Sequence, residues 1–229
     1  MSQPTEMNDV QEPAIRIPAG APERVVLEGR YTRLEPLDPA RHSADLFAAI
    51  ASDAARRHRW LFDHAPGNPE ALRDWAEGAA MSQDPLFFAV VDKASGRAGG
   101  RQSLMRIVPE HGVIEIGNIL WGEGIAGTRL ATEALFLTAT YVFETLGYRR
   151  FEWKCNDLNA PSKRAAERFG FVFEGVFRQH MVVKGENRDT AWFAMIDRDW
   201  PQLKAGYEAW LDPANFDGEG RQRMKLRFA

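Results

Sequence analysis

A glycine-rich turn joins a strand-like run to a helix-like run near the middle of the chain. Gly122, Gly124 and Gly127 lie between apolar residues that end at Trp121 and a helical pattern that begins at Thr128. The first turn of such a helix has backbone N–H groups without carbonyl partners, and the positive end of the helix dipole lies behind them. This arrangement suits a diphosphate group. A plain strand-to-helix turn has the same glycines, so the pattern alone leaves both interpretations open.

The glycine pattern differs from two common nucleotide-binding motifs. No Gly-Lys-Ser/Thr sequence follows the turn, which excludes the phosphate loop of nucleoside-triphosphate-binding proteins. The preceding segment has the features of antiparallel strands and not of the first strand of a βαβ unit, so a dinucleotide-binding fold is not indicated.

A second group of polar residues follows the next predicted strand. Asn159 and Ser162 flank the start of a short helix and place an amide and a hydroxyl at one end of the sheet. Asn and Ser are also the residues that commonly cap helices and form turns. Taken alone, the pair is better explained by helix capping than by ligand binding.

These residues are positioned by a predicted series of strands and helices. Apolar alternation and continuous apolar runs indicate strands, whereas apolar residues at three- and four-residue spacing indicate helices. Predicted in this order are two short strands over 25–37, helices over 38–51 and 69–81, three strands over 85–120, a helix over 128–146, a strand over 149–155, a helix over 162–169, strands over 171–195 and a helix over 199–211. The sequence therefore predicts an α/β fold, an α+β mixed sheet with helices on both faces.

Length and composition fit one globular domain with flanking segments. The chain has 229 residues, of which 45% are hydrophobic and 27% are charged. That length is sufficient for a large buried core, and the composition argues against disorder throughout. We expect a flexible leader over residues 1–22, one domain over residues 23–211 and a polar tail over residues 212–229.

Charge and cysteine content exclude several classes of protein. The formal net charge is −3, so no basic excess indicates a nucleic-acid partner. No apolar run approaches the ~20 residues of a membrane-spanning helix, and no membrane partner is expected. Cys155 is the single cysteine, which excludes an intrachain disulfide and a cysteine-rich zinc site and favours a reducing, cytoplasmic location. The histidines lack metal-ligand spacing, and no metal is expected.

Four motifs occur in order in the second half of the chain. They are Gly127-Thr-Arg-Leu-Ala-Thr-Glu-Ala134, Phe143-Glu-Thr-Leu-Gly-Tyr-Arg-Arg150, Asn159-Ala-Pro-Ser162 and Glu167-Arg-Phe-Gly-Phe-Val-Phe-Glu-Gly175. Together they resemble the GNAT superfamily of N-acetyltransferases, and most of all its RimJ/RimL-like branch. The resemblance covers residues 25–200 in the order of elements and is specific over residues 117–200. It implies a sheet with two splayed central strands, acetyl-CoA as donor and a primary amine as acceptor.

The resemblance also implies which residues bind the donor. Asn159 would hold the pantetheine or the acetyl end of acetyl-CoA, and the hydroxyl of Ser162 would protonate the departing thiolate. The strand that would pair with the pantetheine arm consists of Asn118, Ile119 and Leu120. The loop whose backbone amides would contact the diphosphate consists of Ile125, Ala126, Gly127, Thr128, Arg129, Leu130 and Ala131.

The predicted diphosphate loop departs from the family pattern. The family usually has Gln/Arg-x-x-Gly-x-Gly/Ala, whereas this chain has Ala126, Arg129 and Ala131 at the three defining positions. A side chain at position 129 restricts the backbone and limits how closely it approaches a phosphate. The guanidinium of Arg129 can offset this by contacting phosphate itself. The departure motivates an alternative function, a CoA- or acyl-CoA-binding regulatory or scaffold protein that has lost catalysis.

Direct attack by an amine, the mechanism that the resemblance implies, requires a general base. Glu115, on the strand before the predicted splay, is the first candidate, and Glu152 on the neighbouring strand is the second. Either carboxylate also fits a solvated position on a strand. A backbone N–H near Ile119 or Leu120 would hold the oxyanion. Cys155 lies near the donor end, and inert packing explains it better than a covalent role.

The acceptor is expected to be a protein N-terminus or a small-molecule amine. We expect its specificity to come from the two early helices, the basic run Arg56–Arg59 and the hairpin over Arg178–Asp189. The basic run either engages an acidic substrate or forms a solvated helix end. Met224, Leu226 and Phe228 alternate in the tail, which is compatible with a homodimer.

Overall fold

A mixed eight-stranded sheet lies at the centre of the computed structural model, which describes residues 15–228. The strands, in chain order, are β1 (Leu27–Glu28), β2 (Thr32–Pro36), β3 (Leu86–Asp92), β4 (Ala98–Val108), β5 (Val113–Trp121), β6 (Arg150–Asn156), β7 (Val172–Val183) and β8 (Glu186–Ile196). The helices are α1 (Pro39–Ile50), α2 (Ala54–His58), α3 (Pro69–Met81), α4 (Arg129–Thr140), α5 (Ala160–Arg168) and α6 (Trp200–Leu211). Along the sheet the strands follow the order β1-β2-β3-β4-β5-β6-β8-β7.

Among the described strands, β5 and β6 pair in parallel and the other neighbours pair antiparallel. A parallel pair needs a crossover connection. Here α4 and a π-helical turn over Tyr141–Thr145 form the crossover, and Gly147, with φ of 73°, starts the chain back towards β6. The loop over residues 122–128 therefore connects the end of β5 to the start of this crossover.

Helices cover both faces of the sheet. On one face, α4, α5 and α6 contribute to the larger core, which includes Leu135, Ala166 and Tyr207. On the other face, Leu46 of α1 and Leu72 of α3 pack against β3 and β4. This arrangement confirms the predicted α/β fold class, a mixed sheet with helices on both faces.

The carboxylate of Glu133 connects the first turns of α4 to the turn between β1 and β2. Its oxygens accept hydrogen bonds from the backbone N–H groups of Arg30 at 2.8 Å, Tyr31 at 2.6 Å and Thr32 at 2.6 Å. Glu133 and Thr32 are buried, so the bond to the Thr32 N–H satisfies a donor that water does not reach, whereas Arg30 is exposed and Tyr31 is half-buried. The glutamate of the sequence motif therefore sets the position of α4 against the first strands.

Helix α2 lies in a stretch where the sequence predicts no helix. The carboxylate of Asp53 pairs with both Arg56 and Arg57, which stabilises this single short helix. The one carboxylate of Asp53 thus offsets one of the three arginine charges in the predicted basic run over residues 56–59. Over residues 15–228, no helix combines the length and apolar character needed to cross a membrane.

The tail folds back on its own chain. Leu226 and Phe228 pack against the main core, and the side chain of Asn215 accepts the backbone N–H of Met224 at 2.8 Å. Met224 itself is exposed. The alternating apolar residues of the tail are therefore explained largely by packing within the chain, and the homodimer stays a prediction.

The predicted leader is described only from residue 15 onward, and residues 1–14 lie outside the described part of the chain. In the described part, the backbone N–H of Ala19 donates to the carbonyl of Pro109 at 3.0 Å, and that of Gly20 donates to Leu146 at 2.7 Å. Residues 15–22 thus include contacts with the body of the protein. The division into leader, domain and tail remains a proposal.

Candidate active site

The candidate site is a cleft that opens where β5 and β6 separate. The parallel pairing runs from Val113 and Arg150 to Ile116 and Trp153 and is not continued towards the ends of the two strands. Residues of both strands, of the loop after α2 and of β8 line a cavity of about 110 Å³ at this point. The separation exposes strand backbone that an ordinary sheet would use for pairing.

A β-bulge turns the backbone of β5 at the cleft. The register with β4 moves from Ser103–Gly117 to Arg101–Leu120, so β5 has one extra residue here. Asn118 adopts the left-handed region with φ of 51°, and its amide donates to the hydroxyl of Ser103 at 3.0 Å. The predicted donor-binding residues Asn118 and Ile119 therefore lie outside both strand ladders and line the cleft, whereas Leu120 is paired with β4.

The predicted diphosphate loop forms a tight turn before α4. Several of its amides bond within the turn: Ile125 and Ala126 donate to the carbonyl of Gly122, and Thr128 donates to that of Ile125. The hydroxyl of Thr128 caps α4 by accepting the N–H of Leu130 at 3.1 Å. These four amides already have hydrogen-bond partners within the chain, so fewer residues of the loop than predicted are available to contact a diphosphate.

Three donors of the loop face no such partner among the described contacts. Arg129 and Ala131 belong to the first turn of α4, where an α-helix offers no carbonyl to its own N–H groups. Gly127 has φ of 75°, and both Gly124 and Gly127 border open space. The open loop surface at Gly124 and Gly127, together with the first-turn amide of Arg129, fits the diphosphate of CoA, whereas Ala131 is buried.

The side chain of Arg129 is held by aromatic rings. Its guanidinium lies 4.3 Å from the ring centre of Tyr31 and 5.3 Å from that of Phe216, which belongs to the tail. A cation is attracted to ring faces at such distances. In this conformation Arg129 connects the first strands to the tail, and a direct contact with phosphate stays a prediction.

Asn159 and Ser162 combine helix capping with a place at the cleft. Asn159 is the N-cap of α5, and its side-chain oxygen accepts the N–H of Ser162 at 3.2 Å. The hydroxyl of Ser162 accepts the indole N–H of Trp153 at 3.0 Å. Both Asn159 and Ser162 line the cavity. The two interpretations that the sequence left open are therefore compatible with each other.

The two candidate bases are direct neighbours across the parallel pair. Glu115 lies opposite Glu152 in the register of β5 and β6, and like charges so placed repel each other. The ammonium of Lys154 lies between them, 3.0 Å from Glu115 Oε2 and 2.5 Å from Glu152 Oε2. The side chains of Lys154 and Glu115 are each only 4% exposed. The positive charge of the lysine offsets the repulsion between the two buried carboxylates.

Only one of the two carboxylates lines the cavity as described. Glu115 does so, and its cationic neighbours Lys154 and Arg106 both contact Oε2, the latter at 2.6 Å. Its other oxygen, Oε1, lies on the side of Gly117, 3.6 Å from the position that a Cβ would take there. Glu152 uses one oxygen for Arg150 and the other for Lys154. The geometry therefore leaves Glu115 with one oxygen that neither cation holds, beside Gly117, which also lines the cavity.

Sequence reasoning missed two cations around this site, Arg106 and Lys154. It expected the hairpin over Arg178–Asp189 to contribute to acceptor specificity but did not single out Arg188 within it. A signal for Lys154 was present, because Glu152 and Lys154 alternate with large apolar residues along a central strand. Such alternation places charges on one face of the sheet, where they must find partners. Arg188 and Thr190 show the same two-residue spacing at the start of β8.

Cys155 lines the cavity but is a buried thiol. Burial raises the pKa of Cys155, and a hydrogen bond from Ser162 opposes this only in part. A thiol that stays protonated is a poor nucleophile. These features agree with an inert side chain.

We expect Cys155→Ala to retain kcat within about twofold, because the thiol takes no part in the reaction. The measurement is steady-state turnover together with the rate of labelling of the wild-type thiol by an aromatic disulfide reagent. Labelling should be slow in the native protein and fast in denaturant. A loss of activity above tenfold at an unchanged melting temperature would contradict this interpretation.

Comparison with known proteins decides the family. Residues 32–172 match the family model described as an acetyltransferase (GNAT) domain. The chain belongs to the GNAT acetyltransferase family. The crystal structure of a GCN5-related N-acetyltransferase from Brucella melitensis has 57% sequence identity and a TM-score of 0.90, and the match covers 92% of this chain and 96% of that chain.

Two curated relatives of this GNAT chain have lower identity. "Putative ribosomal N-acetyltransferase YdaF" of Bacillus subtilis is 28% identical over 73% of this chain and 90% of its own length. "Uncharacterized N-acetyltransferase p20" of Bacillus licheniformis is 29% identical over 49% of this chain. The match spans 63% of the length of p20. The predicted family is thus confirmed, and by its family the chain is an N-acetyltransferase.

The GNAT fold uses acetyl-CoA as co-substrate, and the loop and bulge described above suit that molecule. Within residues 15–228, no cluster of three or more His, Cys, Asp or Glu side chains has the arrangement of a metal site.

Proposed function

We propose that this GNAT protein transfers the acetyl group of acetyl-CoA to a primary amine by direct attack in the cleft between β5 and β6. The observation that carries the proposal is the cleft itself, where the backbone of Asn118 and Ile119 lies outside the strand ladders beside the carboxylate of Glu115. This places hydrogen-bonding backbone and a proton acceptor at one point.

Acetyl-CoA supplies the acetyl group as an activated thioester. The backbone amides of Gly127 and Arg129 bind the diphosphate, and the unpaired backbone of Asn118 and Ile119 binds the pantetheine arm. The backbone N–H of Ile119 then faces the oxygen of the acetyl group and stabilises the negative charge that develops there. The residues of the chain thus hold and orient the donor.

Glu115 acts as the general base in this proposal. An attacking amine must be neutral, so its proton has to leave before or during attack. Oε1 of Glu115 takes that proton directly or through a water molecule, while Arg106 and Lys154 hold Oε2. Glu152 serves as the partner of Lys154 and positions it.

Ser162 donates a proton to the departing thiolate in this proposal. Ser162→Ala is expected to lower kcat about tenfold, because water can replace the hydroxyl in part. It also leaves the indole N–H of Trp153 without its partner, and we expect a loss of about 1–2 kcal/mol in the free energy of unfolding. The measurements are turnover and urea denaturation.

Ser162→Thr, which retains a hydroxyl, is the matched variant for this substitution. Its kcat should lie well above that of Ser162→Ala at similar stability. Equal kcat values for the wild type and Ser162→Ala would contradict a role in proton donation.

The finer assignments are also proposals. The relationship to a protein named as a ribosomal N-acetyltransferase agrees with the RimJ/RimL-like motifs and supports a protein N-terminus as one acceptor class. A small-molecule amine is the other class. We propose the reducing cytoplasm as the location, because the single buried cysteine needs no oxidising compartment.

Thermal shift with acetyl-CoA and a free-thiol assay over a panel of amines test the proposed function. We expect stabilisation by acetyl-CoA and amine-dependent release of CoA. Stabilisation without turnover on any amine would favour the alternative of a donor-binding regulatory or scaffold protein. The absence of any stabilisation would contradict both.

A further inference from the structure

Arg188 is a buried cation in the wall of the cleft. It lies near the start of β8 and is 6% exposed, and it lines the same cavity as Glu115, Asn118 and Ser162. Its Nε donates to the hydroxyl of Thr190 at 3.2 Å. Among the described contacts its two Nη nitrogens have no hydrogen-bond partner, and no carboxylate lies within 4 Å of its guanidinium.

Each of the other cations that line the cavity has a carboxylate partner. Arg106 and Lys154 pair with Glu115, and Lys154 also reaches Glu152. Farther along the same strands, Arg150 bridges Glu152 and Glu174. This network contains three cations and three carboxylates and is neutral. The remaining cation of the wall, Arg57, shares the carboxylate of Asp53 with Arg56. No carboxylate of this set is left for Arg188.

Burial and nearby charges both act on the guanidinium of Arg188. Burial lowers its pKa, Cys155 and Glu115 oppose this in part, and the charge of Arg106 adds to it. Burial and the cations Arg106, Arg188 and Lys154 also lower the pKa of His180, whose ring contacts Thr190. A buried charge without a counterion is costly. An anion that enters the cleft would remove much of that cost.

Neighbouring residues hold the guanidinium in place for such an anion. The ring of Phe62, in the loop after α2, lies 5.2 Å from the guanidinium carbon of Arg188. The ammonium of Lys184, at the tip of the β7–β8 hairpin, donates to the carbonyl of His58 at 2.7 Å and joins the hairpin to α2. A fixed, planar guanidinium with free Nη groups suits the two oxygens of a carboxylate or phosphate.

We propose that Arg188 binds an oxyanion on the acceptor, so that the substrate is a compact amine carrying a carboxylate or phosphate group. This inference rests on the proposed function and assigns its substrate class. It also argues against polyamines, because a second ammonium group would meet the charge of Arg188 at close range. The carboxylate and phosphate forms share the same recognition and are separated by experiment.

The test compares acceptors that differ only in the anionic group. The pairs are β-alanine with its amide, γ-aminobutyrate with its amide, and the amidated peptides Glu-Ala-Ala and Gln-Ala-Ala. Aminoethylphosphonate and putrescine complete the set. Each is assayed for kcat/KM with wild-type protein, Arg188→Gln and Arg188→Lys. Arg97→Gln removes one exposed charge from a turn away from the cleft and is the matched control.

We expect at least one anionic acceptor to exceed its neutral counterpart in the wild type. Arg188→Gln should lower kcat/KM for that acceptor about 100-fold, mainly through KM, and leave the neutral counterpart unchanged. The kcat/KM of Arg188→Lys for the anionic acceptor should lie between those of the wild type and Arg188→Gln, because the lysine ammonium is a point charge without the two-pronged donor geometry of arginine. Arg97→Gln should behave as wild type. Equal use of charged and neutral partners, or equal loss on both with Arg188→Gln, would overturn the inference.

Two further measurements separate this inference from the proposed function. Calorimetric titration of the same pairs into the CoA-bound protein measures the affinity for each acceptor, and so the recognition of the anion, without turnover. Binding that is absent or insensitive to Arg188→Gln overturns the inference even if other amines are acetylated. Thermal melting of the free protein provides the second measurement. Arg188→Gln should melt at the same or a higher temperature, because it removes an uncompensated buried charge, whereas a lower value would indicate a structural role.

Discussion

Glu115→Gln is expected to lower kcat by about 100-fold or more while acetyl-CoA binds with unchanged affinity. The amide keeps the shape of the side chain but cannot accept the proton of the attacking amine. The Oε1 position directed towards Gly117 is where that proton would go. Single-turnover rates with saturating acetyl-CoA, together with titration of acetyl-CoA, measure the two quantities separately.

Glu152→Gln is the matched control for this substitution. Both carboxylates contact Lys154, both are buried, and both substitutions remove one negative charge from the same network. Glu152→Gln should change kcat by less than about tenfold, because both of its oxygens are used by cations. Melting curves of the two variants correct for any shared loss of stability. An unchanged rate in Glu115→Gln, or equal losses in both variants, would show that Glu115 is not the base.

Glu133→Ala should destabilise the protein by about 2–3 kcal/mol, since it leaves the buried N–H of Thr32 unsatisfied and removes the acceptor of the Arg30 and Tyr31 N–H groups. Thr32 is fully buried, and the substitution gives its amide no replacement acceptor. The start of α4 would also lose its connection to the turn before β2. Urea denaturation followed by tryptophan fluorescence measures the free energy of unfolding.

Glu133→Gln retains one acceptor oxygen and should lose roughly half as much stability. Glu167→Ala, on the exposed face of α5, removes the same carboxylate from a helix without buried partners and should change stability by less than about 0.5 kcal/mol. A loss below about 1 kcal/mol in Glu133→Ala would mean that water or another group satisfies the three amides.

The position of the candidate site could be predicted from the sequence because four motifs together resemble one family, although each motif alone left its role open. A glycine turn before a helix and an Asn-Ala-Pro-Ser segment after a strand each specify their own geometry, and the structure places Asn159 and Ser162 at the cavity. The charge balance of the site could not be predicted. It depends on side chains from β4, β6 and β8 that only the sheet register brings together, such as Lys154 between Glu115 and Glu152.

The order of helices and strands followed from apolar periodicity, and the misses have physical reasons. Helix α2 is too short to show periodicity, and a single carboxylate, that of Asp53, stabilises it through two arginines. The alternation of Leu226 and Phe228 indicated that these side chains pack against something. It could not show which surface they pack against, because packing on the same chain and packing on a second copy have the same pattern. The bulge at Asn118 could not be predicted, because its left-handed position is not occupied by glycine, the residue that usually marks such a position in a sequence.

The short parallel pairing between β5 and β6, here called the seam, affects the rigidity of the sheet. Four residue pairs, from Val113–Arg150 to Ile116–Trp153, join a five-stranded half of the described sheet to a three-stranded half. A pantetheine arm that pairs with the free edge of β5 would lengthen this seam from within. The donor would then act as a missing length of strand, and the rigidity of the sheet would rise and fall with each round of acetyl transfer.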